Sequence, residues 1–258
     1  MTAKEIAKEA NASVRVVRKW LNEKHKITNV NTRLSDVSLS ELQYHILIGS
    51  LLGDGHIDKR DKYPIFIVSH AENQKDYLYW KYEVFKNLCN KPPSQIKASI
   101  KIFNGKEYSS QIAHRLVTRS YNCFRAYRGL PKFEYLERLS DISFSIWILD
   151  DGYRGDSNWS LCVAEYTEKD KNIAIDILTN KFGLKCWYDK TGLYMYFNSE
   201  SSKQIDKIIL KNIPNHLDIV RYKIIENSKI KRCMDRVYYK DLLLTDYCAN
   251  NNIDYKKL

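Results

Sequence analysis

The chain has 258 residues, with 42 lysines and arginines against 31 aspartates and glutamates, a formal charge of +11 and a pI near 9.2. With 44% hydrophobic residues, it has the composition of a folded protein and length for two domains plus an appendage. The longest apolar run, near residues 46–52, is far below the ~20 residues of a membrane span, and the N-terminus lacks a signal-peptide pattern. We therefore expect no membrane partner and a cytoplasmic or nucleoid-associated location.

Residues 1–25 predict two short helices. Ser13 can N-cap the second helix, whose outer face is basic. This pattern resembles a helix-turn-helix unit, in which the second helix enters the DNA major groove. The candidate DNA-contacting residues of this unit are Arg15, Arg18 and Lys19. The alternative is an amphipathic helix pair that packs on the main domain. Residues 26–38 are polar and predict a linker.

Residues 39–137 and 138–230 predict two units with the same element order, αββαββα. A capping box of Ser38 and Glu41 opens the first helix, which runs to about Gly53. The remaining elements of the first unit are strands near 56–60 and 63–69, a helix over 73–89, a two-stranded ribbon and a short helix near 121–128. Those of the second unit are a helix over 141–151, strands near 153–156 and 159–164, a helix over 169–182, a hairpin of 185–189 and 193–197, and a helix over 201–210. Residues 231–258 form a basic tail.

The excess charge is concentrated in the first unit, where ten lysines and arginines between residues 86 and 132 face one acid, Glu107. Strict alternation over residues 96–102 predicts a strand, and Asn104-Gly105 predicts a hairpin turn after it. The outward residues of this ribbon are Lys97, Ser99 and Lys101 on one strand and Arg115 and Arg119 on the other. A ribbon with one basic face fits the major groove of duplex DNA. The charge pattern therefore predicts a nucleic-acid-binding protein.

Two apolar helices each end in an acid followed by glycine, at Asp54-Gly55 and at Asp151-Gly152. A single Asp-Gly is a common helix stop, but two of them in matching register favour a functional pair of acids. Small residues would let the helices pack closely, at Gly49, Ser50 and Ser145. Two carboxylates held together at helix C-termini repel each other unless a cation lies between them. Mg²⁺ takes such oxygen ligands and bridges to phosphate, which predicts metal-assisted phosphodiester chemistry.

These two segments resemble the LAGLIDADG motif, and the chain is similar to the LAGLIDADG homing endonucleases. It is most similar to the branch whose second motif reads Trp-x-x-Asp-Asp-Gly, here Trp147 to Gly152. Further similar segments lie at residues 76–80, 129–131, 179–184 and 213–223. The resemblance covers roughly residues 39–230.

The resemblance implies an α+β fold in which two pseudo-symmetric αββαββα repeats pack through the two motif helices and their sheets form a saddle over duplex DNA. It implies two or three Mg²⁺ ions shared by Asp54 and Asp151, with Gly53 and Asp150 beside them. The basic residues around the metal site would be Lys223 and Arg128, the latter standing where a lysine is usual. The second repeat would contact DNA through Lys185 and Trp187, with less charge and more selectivity than the first.

The leading interpretation is a monomeric, site-specific DNA endonuclease that makes a double-strand break. The alternatives on the same scaffold are an RNA maturase, with intron RNA as its partner, and a DNA-binding transcription regulator, which would be expected to lose the two acids. A nuclease embedded in an intein would need a nucleophile at residue 1 and a His-Asn end, and the sequence has Met1 and Leu258 instead. The six cysteines are scattered and have no zinc spacing.

Overall fold

Two four-stranded antiparallel sheets, one in each half of the chain, lie on either side of a central pair of helices in the computed structural model. The structure describes residues 37–58, 64–98, 100–103, 106–109 and 111–225, together with the single position 14. The predicted linker up to residue 36, the DNA-contacting residues of the N-terminal unit and the basic tail lie outside the described residues.

The described residues of the first half form three α-helices and six strands. Its helices are α1 (Glu41–Leu52), α2 (Lys75–Phe85) and α3 (Lys132–Leu136). Its strands are β1 (Gly55–Ile57), β2 (Phe66–Ala71), β3 (Ser94–Ile96), β4 (Ile100–Phe103), β5 (Lys106–Ser109) and β6 (Ala113–Val117). Strands β1, β2, β6 and β3 form the sheet in that order, and β4 pairs with β5 alone.

The second half repeats this plan without the extra ribbon. Its helices are α4 (Asp141–Asp151), α5 (Glu168–Asn180), α6 (Ser199–Asn212) and the single turn α7 (Asp218–Val220), which runs into a π-helical turn over Arg221–Ile225. Its strands are β7 (Gly152–Arg154), β8 (Trp159–Cys162), β9 (Cys186–Tyr188) and β10 (Tyr194–Phe197), in sheet order β7-β8-β10-β9. The predicted α+β fold of two αββαββα repeats is confirmed.

Helices α1 and α4 form the centre of the molecule because a glycine of one receives a large side chain of the other. A Cβ atom built on Gly49 would lie 2.4 Å from the Ser143 carbonyl oxygen and 2.6 Å from the Ile146 Cβ. Both distances are below van der Waals contact, so the close approach depends on glycine. The predicted role of Gly49 is therefore confirmed.

The other two small residues predicted for this contact have different neighbours. The Ser50 hydroxyl accepts a hydrogen bond from Lys81 Nζ at 3.1 Å. The Ser145 hydroxyl donates to the Asp141 carbonyl at 2.7 Å and faces the Ile208 carbonyl of α6. These hydroxyls therefore form hydrogen bonds beside the helix pair, and the expectation that both serines help α1 and α4 pack closely stays a prediction.

Two local predictions are wrong. The capping box of α1 is formed by Ser40 and Gln43, not by Ser38 and Glu41, because the helix begins at Glu41 and its third residue is Gln43. The strand predicted over residues 96–102 is interrupted, since β3 ends at Ile96 and β4 begins at Ile100. The alternating pattern continues across a segment that leaves the sheet, so the pattern alone could not locate the break. In the pairing of β4 with β5, Phe103 lies opposite Lys106, and the predicted turn residues Asn104-Gly105 lie outside the described residues.

Candidate metal and nucleic-acid site

The C-terminal ends of α1 and α4 meet at the base of the two sheets. A Cβ atom on Gly53 would lie 2.5 Å from the Asp150 Cβ, so the residues just before Asp54 and Asp151 are in contact. Strands β1 and β7 begin directly after these acids, at Gly55 and Gly152. The sequence therefore predicted correctly that the two acids come from matching ends of packed helices.

The two carboxylates have different surroundings. The Asp54 side chain is 39% exposed and lies beside His70. Burial raises the pKa of Asp151 to about 7, and repulsion from Asp54 and Asp150 acts in the same direction, while Lys132 and Lys223 oppose it. A bound cation would relieve both the repulsion and the burial cost.

Two lysines occupy equivalent places at the helix ends. Lys132 Nζ donates to the carbonyl oxygens of Leu51 and Leu52 at the end of α1, both at 3.0 Å. Lys223 Nζ donates to the Leu149 and Gly152 carbonyls at the end of α4, at 2.6 and 2.7 Å. Each ammonium group therefore complements the negative end of a helix dipole.

Burial shifts both lysines in the same direction. It lowers the pKa of Lys223 to about 8, although the charges of Asp150, Asp54 and Asp151 favour the protonated form. It also lowers the pKa of Lys132, against the charges of Asp151, Glu165 and Asp170. The two amines are thus held near the acids in surroundings that make their protons easier to release than those of surface lysines.

Each of these lysines is braced by an aspartate from the opposite half. Asp170, in the first turn of α5, accepts a hydrogen bond from the Phe133 N–H at 2.8 Å, next to Lys132. Asp76, in the first turn of α2, accepts from the Asp218 N–H at 2.6 Å, at the start of the segment that carries Lys223. These cross-connections fix the basic groups of one half to the helices of the other.

A buried ion pair lies beneath the acids. Lys81 Nζ donates to both carboxylate oxygens of Asp150, at 2.9 and 3.0 Å, and both side chains are completely buried. The Tyr77 hydroxyl donates to the same carboxylate at 2.9 Å. Asp150 is therefore committed to Lys81 and Tyr77.

Ligand atoms of Asp54, His70 and Asp150 all lie within 4.8 Å of one another, a spacing that could hold a metal ion. However, the Lys81 ammonium lies 2.9 Å from Asp150 and 3.1 Å from His70 Nε2. A lysine already supplies the positive charge among these groups. The carboxylates of Asp54 and Asp151 are the better candidate for a divalent cation, because neither accepts a hydrogen bond from a lysine that the structure describes; Lys132 and Lys223 donate to backbone carbonyls instead.

Sequence reasoning missed three residues of the site, Lys132, His70 and Lys81. It selected Arg128, which lies half-buried four residues before Lys132, as the basic residue of the first half. The hydrogen bonds described above show that Lys132, at the end of α1, is the counterpart of Lys223 at the end of α4. The signal that could have found Lys132 is its position directly after Gly129-Leu130-Pro131, just as Arg128 lies directly before that segment.

The outer faces of the two sheets differ in chemistry. In the first sheet, exposed Arg115 lies between Ser69 and Ser94 on neighbouring strands, and its Nε donates to the Ser69 hydroxyl at 3.2 Å. In the second sheet one row crosses all four strands through Tyr153, Ser160, Tyr196 and Trp187. The Trp187 and Tyr196 rings stack at 6.4 Å, and Tyr153 is 71% exposed. One face is basic and polar, and the other is aromatic.

The predicted DNA-contacting residues differ in how exposed their side chains are. Lys97, Arg115, Lys185 and Trp187 are exposed. Arg119 is half-buried, donates to the Asn87 carbonyl at 3.0 Å and lies over the Tyr121 ring. The side chains of Ser99 and Lys101 lie outside the described residues. In the part of the chain that the structure describes, no helix has the length and apolar character of a membrane span.

The chain matches known proteins over most of its described length. A model of the LAGLIDADG DNA endonuclease family matches residues 44–205. The protein RecA of Mycolicibacterium flavescens is 23% identical over 208 residues, covering 66% of this chain and 44% of that protein. The cytochrome b mRNA maturase bI2 of Saccharomyces cerevisiae is 23% identical over 221 residues, covering 79% of this chain and 49% of that protein. The chain thus spans less than half the length of these two curated relatives.

A solved structure has the same fold. The homing endonuclease I-WcaI bound to its DNA recognition sequence superposes with a TM-score of 0.59 at 20% identity, covering 73% of this chain and 88% of that chain. At this identity the similarity establishes the arrangement of helices and sheets and leaves the site to be argued from its own residues.

Proposed function

Because the chain belongs to the LAGLIDADG DNA endonuclease family, we propose that it is a metal-dependent, site-specific homing endonuclease that makes a double-strand break in DNA. The observation that carries the proposal is the pair of acids at the packed ends of α1 and α4, where each helix end is bound by a half-buried lysine. One chain supplies both acids and both sheets, so we propose that it acts as a monomer.

The donor set suits Mg²⁺. Asp54 and Asp151 offer carboxylate oxygens, which hard divalent ions prefer, and repulsion between them contributes to the raised pKa of Asp151. When bound there, Mg²⁺ would activate water and stabilise the departing 3′ oxygen. Lys132 and Lys223 would lie close to the scissile phosphate. Their ammonium groups can stabilise its charge or release a proton, because burial favours their neutral form.

The two sheets offer a surface for duplex DNA. Arg115 and Lys97 would contact phosphates and guanine edges, whereas the aromatic row of the second sheet would make apolar contacts with bases. Phosphate contacts position the duplex and base contacts select its sequence. We therefore propose that the first half supplies more of the affinity and the second more of the selectivity. We also propose that residues 1–25 extend the DNA contact and that residues 26–38 act as a linker.

RNA maturation is the second candidate. It is favoured by the exposed aromatic row on the second sheet, since recognition of single-stranded RNA depends on bases stacked on aromatic side chains. The similarity to a protein named as a maturase points in the same direction. A protein with this role would bind a structured intron RNA more tightly than duplex DNA.

The test is cleavage of a target selected from a library of randomised duplexes, or of the duplex obtained by joining the sequences that flank the gene. We expect a plasmid carrying this target to be linearised with Mg²⁺ and left intact with EDTA. A plasmid with the target scrambled is the control. Absence of cleavage with Mg²⁺ or Mn²⁺, together with tight RNA binding, would favour the second candidate.

A further inference from the structure

A histidine in β2 links the metal site to the buried ion pair. His70 Nδ1 lies 3.2 Å from Asp54 Oδ2, and the histidine side chain is fully buried. Its other ring nitrogen, Nε2, lies 3.1 Å from Lys81 Nζ. The imidazole therefore stands between the exposed acid and the interior of the protein.

The contacts of Lys81 determine which nitrogen of His70 carries the proton. Its ammonium group can only donate, and its three hydrogens face Asp150, the Ser50 hydroxyl and His70 Nε2. Nε2 must therefore accept, which places the ring proton on Nδ1. This nitrogen lies 3.2 Å from Asp54 Oδ2 and has no hydrogen-bond partner among the residues that the structure describes, so its proton is available to the Asp54 carboxylate. This assignment follows from the hydrogen-bonding network.

We propose that His70 is a positioning residue for Asp54 and that the Lys81–Asp150 pair holds the imidazole in the required tautomer. A carboxylate that binds a metal is commonly oriented by a hydrogen bond from a neighbouring group. The inference rests on the proposed function, because it assumes that Asp54 is a metal ligand.

The second half shows that the fold does not require this arrangement. The strand register matches Gly55 and Val68 to Gly152 and Leu161, so the position equivalent to His70 is Val163, which is buried. Counting in the same register, Lys81 matches Ala174, which is also buried. Asp54 Oδ2 lies 3.2 Å from His70 Nδ1, whereas the Asp151 carboxylate forms no ion pair with any residue that the structure describes. A buried charge is costly, and the buried pair Lys81–Asp150 lies on the side of Asp54. The second half has a buried ion pair of its own, Arg154 with Asp206, and no histidine at the position equivalent to His70.

His114 offers a matched control. It lies directly opposite His70 in the β2–β6 pair, and its side chain is almost equally buried. Its Nε2 contacts Glu72 at 2.5 Å instead of the acids of the site. Replacing His70 removes a buried histidine that contacts Asp54, and replacing His114 removes one of similar burial in the same sheet that contacts Glu72. The comparison therefore separates the contact with Asp54 from the loss of a buried histidine.

The experiment measures Mn²⁺ binding to the DNA-free protein by the electron paramagnetic resonance signal of free Mn²⁺, and the Mg²⁺ concentration that gives half-maximal cleavage. We expect His70→Leu to weaken Mn²⁺ binding and to raise the Mg²⁺ requirement, each by about tenfold or more. His70→Asn, whose amide N–H can replace Nδ1–H, should recover most of both. His114→Asn should leave both unchanged. If His70→Leu does not fold, His70→Gln, whose amide corresponds to Nε2, replaces it in the comparison.

The reference variant is Asp54→Asn. If it loses Mn²⁺ binding while His70→Leu retains the wild-type affinity and Mg²⁺ requirement, the positioning role is wrong and the proposed metal site stands. If Asp54→Asn binds Mn²⁺ as the wild type does, the proposed metal site fails and the positioning role fails with it. Equal effects of the His70 and His114 variants would show that His70 acts only through stability, which would also overturn the inference.

Discussion

The two halves of the molecule share a backbone plan but differ in the chemistry placed on it. Both have a motif helix that ends in an acid, a four-stranded sheet and a lysine at the helix end. Beneath the sheet, the first half buries His70 and Lys81 where the second half has apolar residues. The shared backbone thus places the two acids at equivalent positions, and the different buried residues give each acid different neighbours.

The outer faces differ as well. The first sheet presents Arg115 among serines, and the second presents a row of aromatic rings. A charged group attracts any phosphate, whereas a ring gains from contact with a particular base edge or methyl group. A symmetric fold can therefore bind a target whose two halves have unrelated sequences.

The largest effect is expected where the halves are alike. Asp54→Asn and Asp151→Asn each remove one negative ligand, so each should reduce the cleavage rate about 1000-fold or more, which corresponds to ~4 kcal/mol of barrier. The measurement is the initial rate on the selected duplex. Asp176→Asn, an exposed position on α5, is the control and should cleave normally. Retention of more than a tenth of the rate by either variant would remove that acid from the site.

The buried ion pair should make the first half sensitive to loss of a lysine. Lys81→Met leaves Asp150 buried without its cation and should lower the free energy of unfolding by about 3–5 kcal/mol. The double variant Lys81→Met/Asp150→Leu should recover most of that loss. Lys86→Met is the control, since Lys86 and Glu83 form an exposed pair whose loss should leave the free energy of unfolding nearly unchanged. Denaturant unfolding measures all three variants, and equal losses for Lys81→Met and Lys86→Met would refute the asymmetry in burial.

The contact between α1 and α4 joins a small residue of one helix, Gly49, to a large residue of the other, Ile146. Gly49→Ala should destabilise the protein by about 3 kcal/mol, because the new methyl group would overlap the Ser143 carbonyl and Ile146. Intrinsic helix propensity alone would predict the opposite sign, by about 1 kcal/mol. Ile146→Val at the matching position of α4 should cost only about 1 kcal/mol. Thermal unfolding of both variants gives the comparison, and a stabilising Gly49→Ala would show that the helices are further apart.

The smallest effects concern the sheets. Arg115→Ala should reduce the slope of log affinity against log salt by about one, because one phosphate contact is lost. Trp187→Ala should leave that slope unchanged and weaken binding by about 1 kcal/mol through lost apolar contact. Binding titrations at several salt concentrations distinguish the two variants. A reduced salt slope for Trp187→Ala would contradict the proposed division between the halves.

Sequence patterns predicted the parts of the fold that depend on local signals. Helix α4 has the predicted bounds, 141–151, because an N-capping serine and an Asp-Gly stop enclose an apolar run. The pairing of Asp54 with Asp151 followed from matching registers. His70 and Lys81 could not be found in this way, since a histidine in a strand and a lysine in a helix are typical of exposed faces. Their burial depends on Asp150, which lies in the other half of the chain.

The most direct test of the central claim is the position of Mn²⁺ in crystals of the protein bound to its target DNA, located by anomalous scattering. We expect anomalous density between the carboxylates of Asp54 and Asp151, with Lys81 still bound to Asp150. An ion held by Asp54, His70 and Asp150, or no ion within reach of Asp151, would contradict it.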